Sequence, residues 1–325
     1  MMTSLVIAVT GASGFVGAHV ATALAAAGHT VRACVRAPTG SPVGCEVRLT
    51  GDLIDGAGWD GAFEGANVVV HCAGAAHSRD PAPEWLWRSN VDGSRRIAER
   101  AVAAGVQRLV FASSLKVHGE TSGAAPLDAS SPLAPTDAYA ISKRAAEDVL
   151  REISTNTGLE LVVLRPPLMY GPGVSANFLD LLKAVSDGRP LPVALVRNRR
   201  SLLAVKNFAD AVRACVSHPA AAGRAFLICD GPPVSTPELV RCCARALGVA
   251  PRLWPVPVPV LHAVGALLGR SGMIQRLTGS FEVNDAPIRA TVGWQPCITM
   301  EAALAETAAW FGARTRGDVP GEGAR

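Results

Sequence analysis

Tyrosine and lysine are scarce in this chain of 325 residues: it has Tyr139 and Tyr170, and only Lys116, Lys143, Lys183 and Lys206. Its basic charge is therefore nearly all arginine, scattered along the sequence, and the formal net charge is only +4. No block of basic residues is present, which argues against a nucleic-acid partner. No uninterrupted apolar run reaches about 18 residues, so no membrane-spanning helix is expected. The apolar stretch Met1 to Thr10 lacks a basic flank and runs into glycines, not into a signal cleavage site. Cysteines are present, eight of them, but without CxxC spacing, a compact disulfide framework or a metal-site pattern. They read as buried free thiols of a reducing compartment, here the cytoplasm. Trp254 to Leu268 is the most membrane-like segment, yet prolines and a glycine interrupt it. Its pattern Leu261, Ala263, Val264, Leu267, Leu268 predicts a lid helix packed on the core, with no membrane partner.

What is there is a large apolar fraction, 49%, arranged with two periodicities. Short β-rich runs at 5–9, 30–35, 46–49, 67–71, 108–112 and 160–164 alternate with helical stretches at 14–27, 84–104 and 137–155. The last two end at Gly105 and Gly158, plausible helix stops. This alternation predicts an α/β fold with a doubly wound parallel sheet over residues 1–166. From 167 to 312 prolines cluster and strand signals thin out. A smaller, mostly helical substrate domain is expected there, with helices near 177–185 and 207–216 and the run 225–229 returning to the first sheet. Residues 313–325, rich in glycine and arginine, are expected to be disordered.

Two motifs carry chemistry. Tyr139-Ala-Ile-Ser-Lys143 places a phenol and an ammonium one helical turn apart on one face. A cation beside a phenol favours the phenolate, so the pair is expected to move protons near neutral pH. Gly11-Ala-Ser13-Gly14-Phe15-Val16-Gly17 follows the first strand and opens the first helix. There glycines allow a tight turn and close approach of a pyrophosphate, and the helix N-terminus offers free amides and a positive dipole end. At the end of the second strand stands Arg36, where an NAD site usually has a carboxylate. A guanidinium suits a 2′-phosphate, so NADP(H) is favoured over NAD(H). Asp52 and Leu53, after the third strand, are placed to face the adenine. Cys72-Ala73-Gly74 ends the fourth with small residues that leave room for cofactor.

These residues, with Asn90-Val-Asp-Gly93, Ser113-Ser114 and Arg165-Pro166-Pro167-Leu168-Met-Tyr-Gly-Pro-Gly173, resemble the extended short-chain dehydrogenase/reductases. The similarity is to the nucleotide-sugar epimerase/dehydratase group and spans about residues 4 to 312. It implies a catalytic set of Ser114, Tyr139 as acid/base, and Lys143, which also holds the nicotinamide ribose. Ser114 is the better match for the third member because it lies 25 positions before Tyr139, and Ser113 is the fallback. Asn90 would fix local backbone and water on the cofactor-facing helix, and Ser113, Pro166 and Leu168 would join the cofactor contacts. For the nucleotide-sugar substrate it implies Asn177 and Arg200 at the diphosphate and Arg276 as a further phosphate ligand.

Departures bear on the sugar. His118 stands where many members have tyrosine, Leu168 where many have asparagine, and Lys116 is close enough in sequence to reach the pocket. Leu115-Lys116 also replaces the acidic pair of the 4,6-dehydratases. The resemblance therefore implies oxidoreduction at C4 of a UDP-sugar. Arg36 tilts the expectation toward NADPH reduction of a UDP-4-keto-6-deoxy(-N-acetyl)hexose for surface polysaccharide. A UDP-glucose or UDP-N-acetylglucosamine 4-epimerase with retained NAD is the alternative, and a non-catalytic dinucleotide sensor a third. Many members pair two helices per subunit into a homodimer, here those at 84–104 and 137–155.

Overall fold

The computed structural model describes residues 4–317 except 39, 41 and 76–81. The β-rich runs become β1 (Val6–Thr10), β2 (Thr30–Val35), β3 (Glu46–Leu49), β4 (Val68–His71), β5 (Arg108–Ala112) and β6 (Glu160–Arg165). Together with β9 (Ala225–Leu227) they form one seven-stranded sheet in the order β3-β2-β1-β4-β5-β6-β9. All its pairings are parallel. Both faces are covered, as a parallel sheet with crossover helices requires. Alternate residues of each strand divide between two cores. Ile7, Val9, Val68, Val70, Val110 and Leu164 pack with α1 (Phe15–Ala26) and α6 (Val205–Ser217). Ala8, Val69, Leu109, Phe111 and Val163 pack under α3 (Gly93–Ala103) and α4 (Ala138–Thr157). Strand β3 lies at an edge and carries charge there, Glu46 pairing with Arg32 and Arg48.

The helix expected over 84–104 is built in three parts: α2 (Pro83–Trp87), a five-residue π-turn (Arg88–Asp92) and α3. A π-turn holds one residue more than an α-turn and leaves a carbonyl to be satisfied otherwise. Here Ser94 Oγ donates to the carbonyl of Asn90 at 2.5 Å.

Beyond β6, the helical segments are α5 (Ala176–Ser186), α6, α7 (Thr236–Leu247), α8 (Val258–Leu267), α9 (Ser271–Thr278), α10 (Ala286–Val292) and α11 (Met300–Arg316). They enclose a third core around Tyr170, Phe178, Leu182, Leu239 and Leu304. Two strands of three residues, β7 (Leu168–Tyr170) and β8 (Leu202–Ala204), pair in parallel beside it, too short to give a sequence period. Strand β9 lies within the run marked as returning to the sheet and pairs with β6. The segment expected to be a disordered tail is helical through Arg316, while 318–325 lies outside the described residues. Among the described residues no helix is long and apolar enough to cross a membrane. The lid helix differs from expectation: α8 buries only Leu261 and Gly265, packs Val258 partly on the third core, and leaves Val260, Val264 and Leu267 exposed. All eight cysteines are free, and Cys297 is exposed, unlike the buried thiols at Cys34, Cys215, Cys229 and Cys243.

The ends of β5, β6 and α4 are locked by one buried ion pair. Glu147 and Arg165 are both essentially excluded from solvent. Arg165 Nε and Nη2 donate to the two oxygens of Glu147 at 2.9 and 2.6 Å. The same carboxylate accepts from Ser113 Oγ at 2.5 Å and Arg151 Nη2 at 2.7 Å. Burial opposes the charge, but Arg165, Ser113 and Arg151 together hold the Glu147 carboxyl below the usual range. Breaking such a pair on one side strands the other charge, which costs about 3–5 kcal/mol, whereas an apolar pair of similar volume is often tolerated. Glu147→Ala is therefore expected to lose about that much in urea unfolding. The double variant Glu147→Leu/Arg165→Met should recover most of it, and equal loss in both would contradict the assignment.

Candidate functional site

The sheet changes direction of strand order between β1 and β4, and ligand crevices of doubly wound folds open at the strands' carboxyl ends there. At that point the glycine loop leaves β1. Gly11 has φ +68, and a Cβ on it would come within 2.8 Å of the Ala73 backbone. A Cβ on Gly17 would lie 2.2 Å from the Gly11 carbonyl oxygen, so the loop closes onto α1 only with glycine there. Gly14 is the N-cap of α1 and supplies no side chain to its first turn, which also lacks an acidic residue. The amides at this end are left for an anion. This is the cradle a dinucleotide pyrophosphate fits, and the residues present suit NAD or NADP in it. Phe15 turns away from the crevice to pack on the third core, and Val16 packs on the first, so both can contribute only backbone. Ser13 is half-buried in the loop between Gly11 and Gly14. Arg36 is exposed directly past β2; Asp52 is exposed and caps the amide of Ile54, and Leu53 lies against Gly93.

A directional chain of hydrogen bonds runs from this loop to α4. The amide of Ala73 donates to Thr10 Oγ1 (3.2 Å), which bonds His71 Nδ1 at 2.7 Å. His71 Nε2 bonds Ser94 Oγ at 3.0 Å, and Ser94 donates on to the carbonyl of Asn90. Because Ser94 spends its proton on that carbonyl, His71 must carry its proton on Nε2 and accept at Nδ1. Burial, assisted by the charge on Lys143, pushes the His71 pKa down to about 3, so it stays neutral. Asn90 continues the chain, holding Ala75 at both main-chain groups (2.8 and 3.0 Å) and donating to Ser142 Oγ at 2.9 Å. Ser142 donates to the carbonyl of Tyr139 at 2.8 Å. Gly74 closes on Asn90, where a Cβ would meet the side-chain oxygen at 2.8 Å. Asn90 thus fixes the backbone at Ala75 by direct bonds.

Asp137 caps the helix that bears Tyr139, accepting from the amide of Ala140 at 2.7 Å. Tyr139 is half-buried and its hydroxyl bonds the side chain of Ser114. Ser114 also accepts from the amide of Lys116 at 3.2 Å, which orients it. Ser113 is excluded as the third member, because its hydroxyl is committed to Glu147. Lys143 is buried, with Nζ 4.1 Å from the centre of the Phe111 ring, and His71 stacks on Phe111 at 5.5 Å. The expected lowering of the phenol is not found. Burial raises the Tyr139 pKa to about 12 despite the Ser114 bond, and burial lowers Lys143 to about 8 despite Glu147. Desolvation disfavours both charged forms and outweighs the pairing. Cys72 lies near Lys143, and burial holds its thiol protonated, pushed up to about 12.

Several substrate-side expectations change. His118 is buried, its Nδ1 on the carbonyl of Pro132 (3.1 Å) and its Nε2 on Arg165 Nη1 (3.0 Å). With both nitrogens taken it braces Arg165 and does not face a sugar. Lys116 is ion-paired to Asp137 and to Glu120, and so stands at the cap of α4. Pro166 is buried and its carbonyl accepts from the amide of Leu115, while Leu168 is exposed at the start of β7. Arg200 donates from Nη1 to the carbonyls of Arg276 (2.6 Å) and Gly279 (3.2 Å). Arg276 is exposed and close enough to act electrostatically on both Arg200 and Asp137, so these residues gather over the Tyr139 side of the crevice. Asn177 is exposed on the first turn of α5, next to Ala176, the one non-glycine at positive φ among the described residues. Sequence reasoning passed over Glu147, Phe111, Thr10, Ser94 and Ser142. The spacing Tyr139, Lys143, Glu147 was a signal for the first of these, each one turn from the last.

At neutral pH Lys143 bears a charge the fold disfavours. Its folded pKa lies below the unfolded value of about 10.4, so stability rises with pH between about 8 and that value as the folded form sheds its proton first. Lys143→Met is expected to stabilise the protein at pH 7 by about 1–3 kcal/mol in urea unfolding. Unchanged or reduced stability would contradict the burial cost.

The profile of the NAD dependent epimerase/dehydratase family matches residues 7–229. A Vibrio cholerae UDP-glucose 4-epimerase is 36% identical over 312 residues, covering 94% of this chain and 95% of its own. A short-chain dehydrogenase/reductase superfamily protein from Agrobacterium tumefaciens with bound NAD superposes with TM-score 0.75 at 25% identity, over 96% of this chain and 99% of its own. The structure of MoeE5 with UDP-glucose and NAD gives TM-score 0.75 at 25% identity over the same shares.

Proposed function

The chain belongs to the NAD dependent epimerase/dehydratase family, and from that premise we propose that it is a UDP-hexose 4-epimerase that retains NAD. The observation that carries this reading is the Ser114–Tyr139 hydrogen bond beside the buried Lys143, at the sheet end that also holds the glycine cradle. The V. cholerae relative supports the choice of reaction, and the UDP-glucose and NAD of MoeE5 support the ligands. Bound NAD would supply a hydride acceptor and donor at C4 and a positive charge near the phenol. Tyr139 takes the proton from the C4 hydroxyl and returns it to the same oxygen after the ring has turned over. Ser114 holds that oxygen by a hydrogen bond strongest when it carries charge. Lys143 holds the nicotinamide ribose and keeps positive charge beside Tyr139 up to about pH 8. Since burial, helped by Asp137, leaves Tyr139 near 12 despite Ser114, its ionisation relies on the positive charges around it. Arg200, Arg276 and Asn177 receive the diphosphate.

A second reading, NADPH reduction of a UDP-4-keto-6-deoxyhexose, is favoured by one observation: Arg36 stands exposed past β2 and suits a 2′-phosphate. Purified protein is expected to release NAD or NADH on acid treatment and to interconvert UDP-glucose and UDP-galactose, or their N-acetyl forms, without added cofactor. Tyr139→Phe should lower kcat by about 10²–10⁴-fold. No interconversion, with NADPH consumed on a UDP-4-keto-6-deoxyhexose, would replace the first reading by the second.

We also infer a homodimer through α2 and α4, where Trp85, Trp87 and Ile141 are exposed. Light scattering should give twice the chain mass, falling to one for Ile141→Glu. A monomeric parent protein would refute it.

A further inference from the structure

Between Glu238 and Glu282 the chain has no acidic residue and no lysine, but five arginines: Arg241, Arg245, Arg252, Arg270 and Arg276. All five are exposed. The same stretch contains α8, which has no charged residue at all. Its inner face is Leu261, seated on the third core, and Gly265 one turn on. A Cβ on Gly265 would lie 2.5 Å from Ile274 Cγ1, so the missing side chain lets α9 pack tightly back on α8 as a helical hairpin.

The outer face of α8 is the anomaly. Val260, Val264, Leu267 and Leu268 follow one helical face at spacings of four, three and one, and all are exposed, Leu267 by 87% and Leu268 by 62%. Trp254, exposed by 58%, leads into the helix, and Met273 is exposed at the start of α9. A solvent-facing helix normally carries charge there. Apolar exposure on this scale, in a segment whose charges are all arginine, marks a docking surface. Arg270 sits in the turn directly after Leu267 and Leu268, at the tip of the hairpin.

We propose that the α8–α9 hairpin docks the protein on an anionic phospholipid bilayer. The apolar side chains Trp254, Val264, Leu267 and Leu268 enter the headgroup boundary, and Arg270 with its neighbours meets the lipid phosphates. The charge pattern selects this occupant over a second copy of the chain. A two-fold interface sets the same patch against itself, and the segment 239–281 that builds it supplies arginines but no carboxylate to pair with them. Nor does the hairpin cross the membrane, being far shorter than a span. The other end of α9 carries Arg276, which reaches electrostatically to Arg200 and to Asp137, the cap of the Tyr139 helix. Docking therefore turns the mouth of the crevice toward the lipid surface.

The test is co-sedimentation of the full chain with vesicles of equal parts phosphatidylglycerol and phosphatidylethanolamine, and with vesicles of phosphatidylcholine alone. The protein should sediment with the anionic vesicles, much less with the neutral ones, and less as salt is raised. Leu267→Asp/Leu268→Asp and, separately, Arg270→Glu should each weaken binding about tenfold or more. These side chains are exposed, so both variants should keep the parent's unfolding transition and its activity on soluble UDP-hexose. Failure of the parent to bind anionic vesicles, equal binding by the variants, or equal binding to phosphatidylcholine would overturn the proposal. So would a dimer that Leu267→Asp/Leu268→Asp dissolves, which would make the patch an interface between copies. Vesicle binding is read without substrate, so its result does not depend on the reaction catalysed.

Discussion

The carboxylate of Glu147 is the point on which the site depends. It is a charge removed from water, and it is tolerated only because Arg165, Ser113 and Arg151 converge on it from three directions. Those partners stand at the end of β6, the end of β5 and on α4, so satisfying one oxygen pair fixes the mutual placement of three elements. Ser114 follows Ser113, and Lys143 precedes Glu147 by one turn. The Ser114 hydroxyl and the Lys143 ammonium are thus each one covalent or helical step from the same anchor. His118 and the carbonyl of Pro132 extend the brace outward from Arg165.

A second constraint acts from the cofactor side. The hydrogen-bond chain from Ala73 through Thr10, His71, Ser94, Asn90 and Ser142 ends on the carbonyl of Tyr139. It couples the position of the glycine loop to the first turn of α4 through buried side chains. The two systems meet at Phe111, whose ring lies between the His71 imidazole and the Lys143 ammonium. A buried cation at that position gains an aromatic face and loses water, and the loss is the larger effect on its pKa.

The sheet was legible because both its faces are buried, which turns each strand into a nearly continuous apolar run between turn signals. The glycine loop was legible because its geometry tolerates no side chain at Gly11 and Gly17, and the Tyr139–Lys143 pair because helical spacing alone aligns it. What could not be read has common causes. The π-turn is one residue of slippage within an unbroken helical pattern, and β7 and β8 are too short to show a period. His118 and Ser113 take outward roles from the family resemblance, yet their partners, Arg165 and Glu147, are 47 and 34 positions away. The direction of the Tyr139 pKa depended on desolvation, a property of the surroundings and not of the pentapeptide. The outer face of α8 looked like core because hydrophobicity reports only that a side chain avoids water, not what covers it.

The polarity of the His71 chain has a consequence for acid resistance. Neither imidazole nitrogen can gain a proton without cutting a link, since one must accept from Thr10 while the other donates to Ser94. The folded pKa of about 3 lies below the value of 6.5 that an unhindered imidazole shows, so on acidification the unfolded chain takes up the proton first. Stability should therefore begin to fall as pH drops through 6.5, by about 2 kcal/mol at pH 5 from this side chain alone. A mildly acidic medium would loosen the protein from the middle of its sheet, through a single buried histidine.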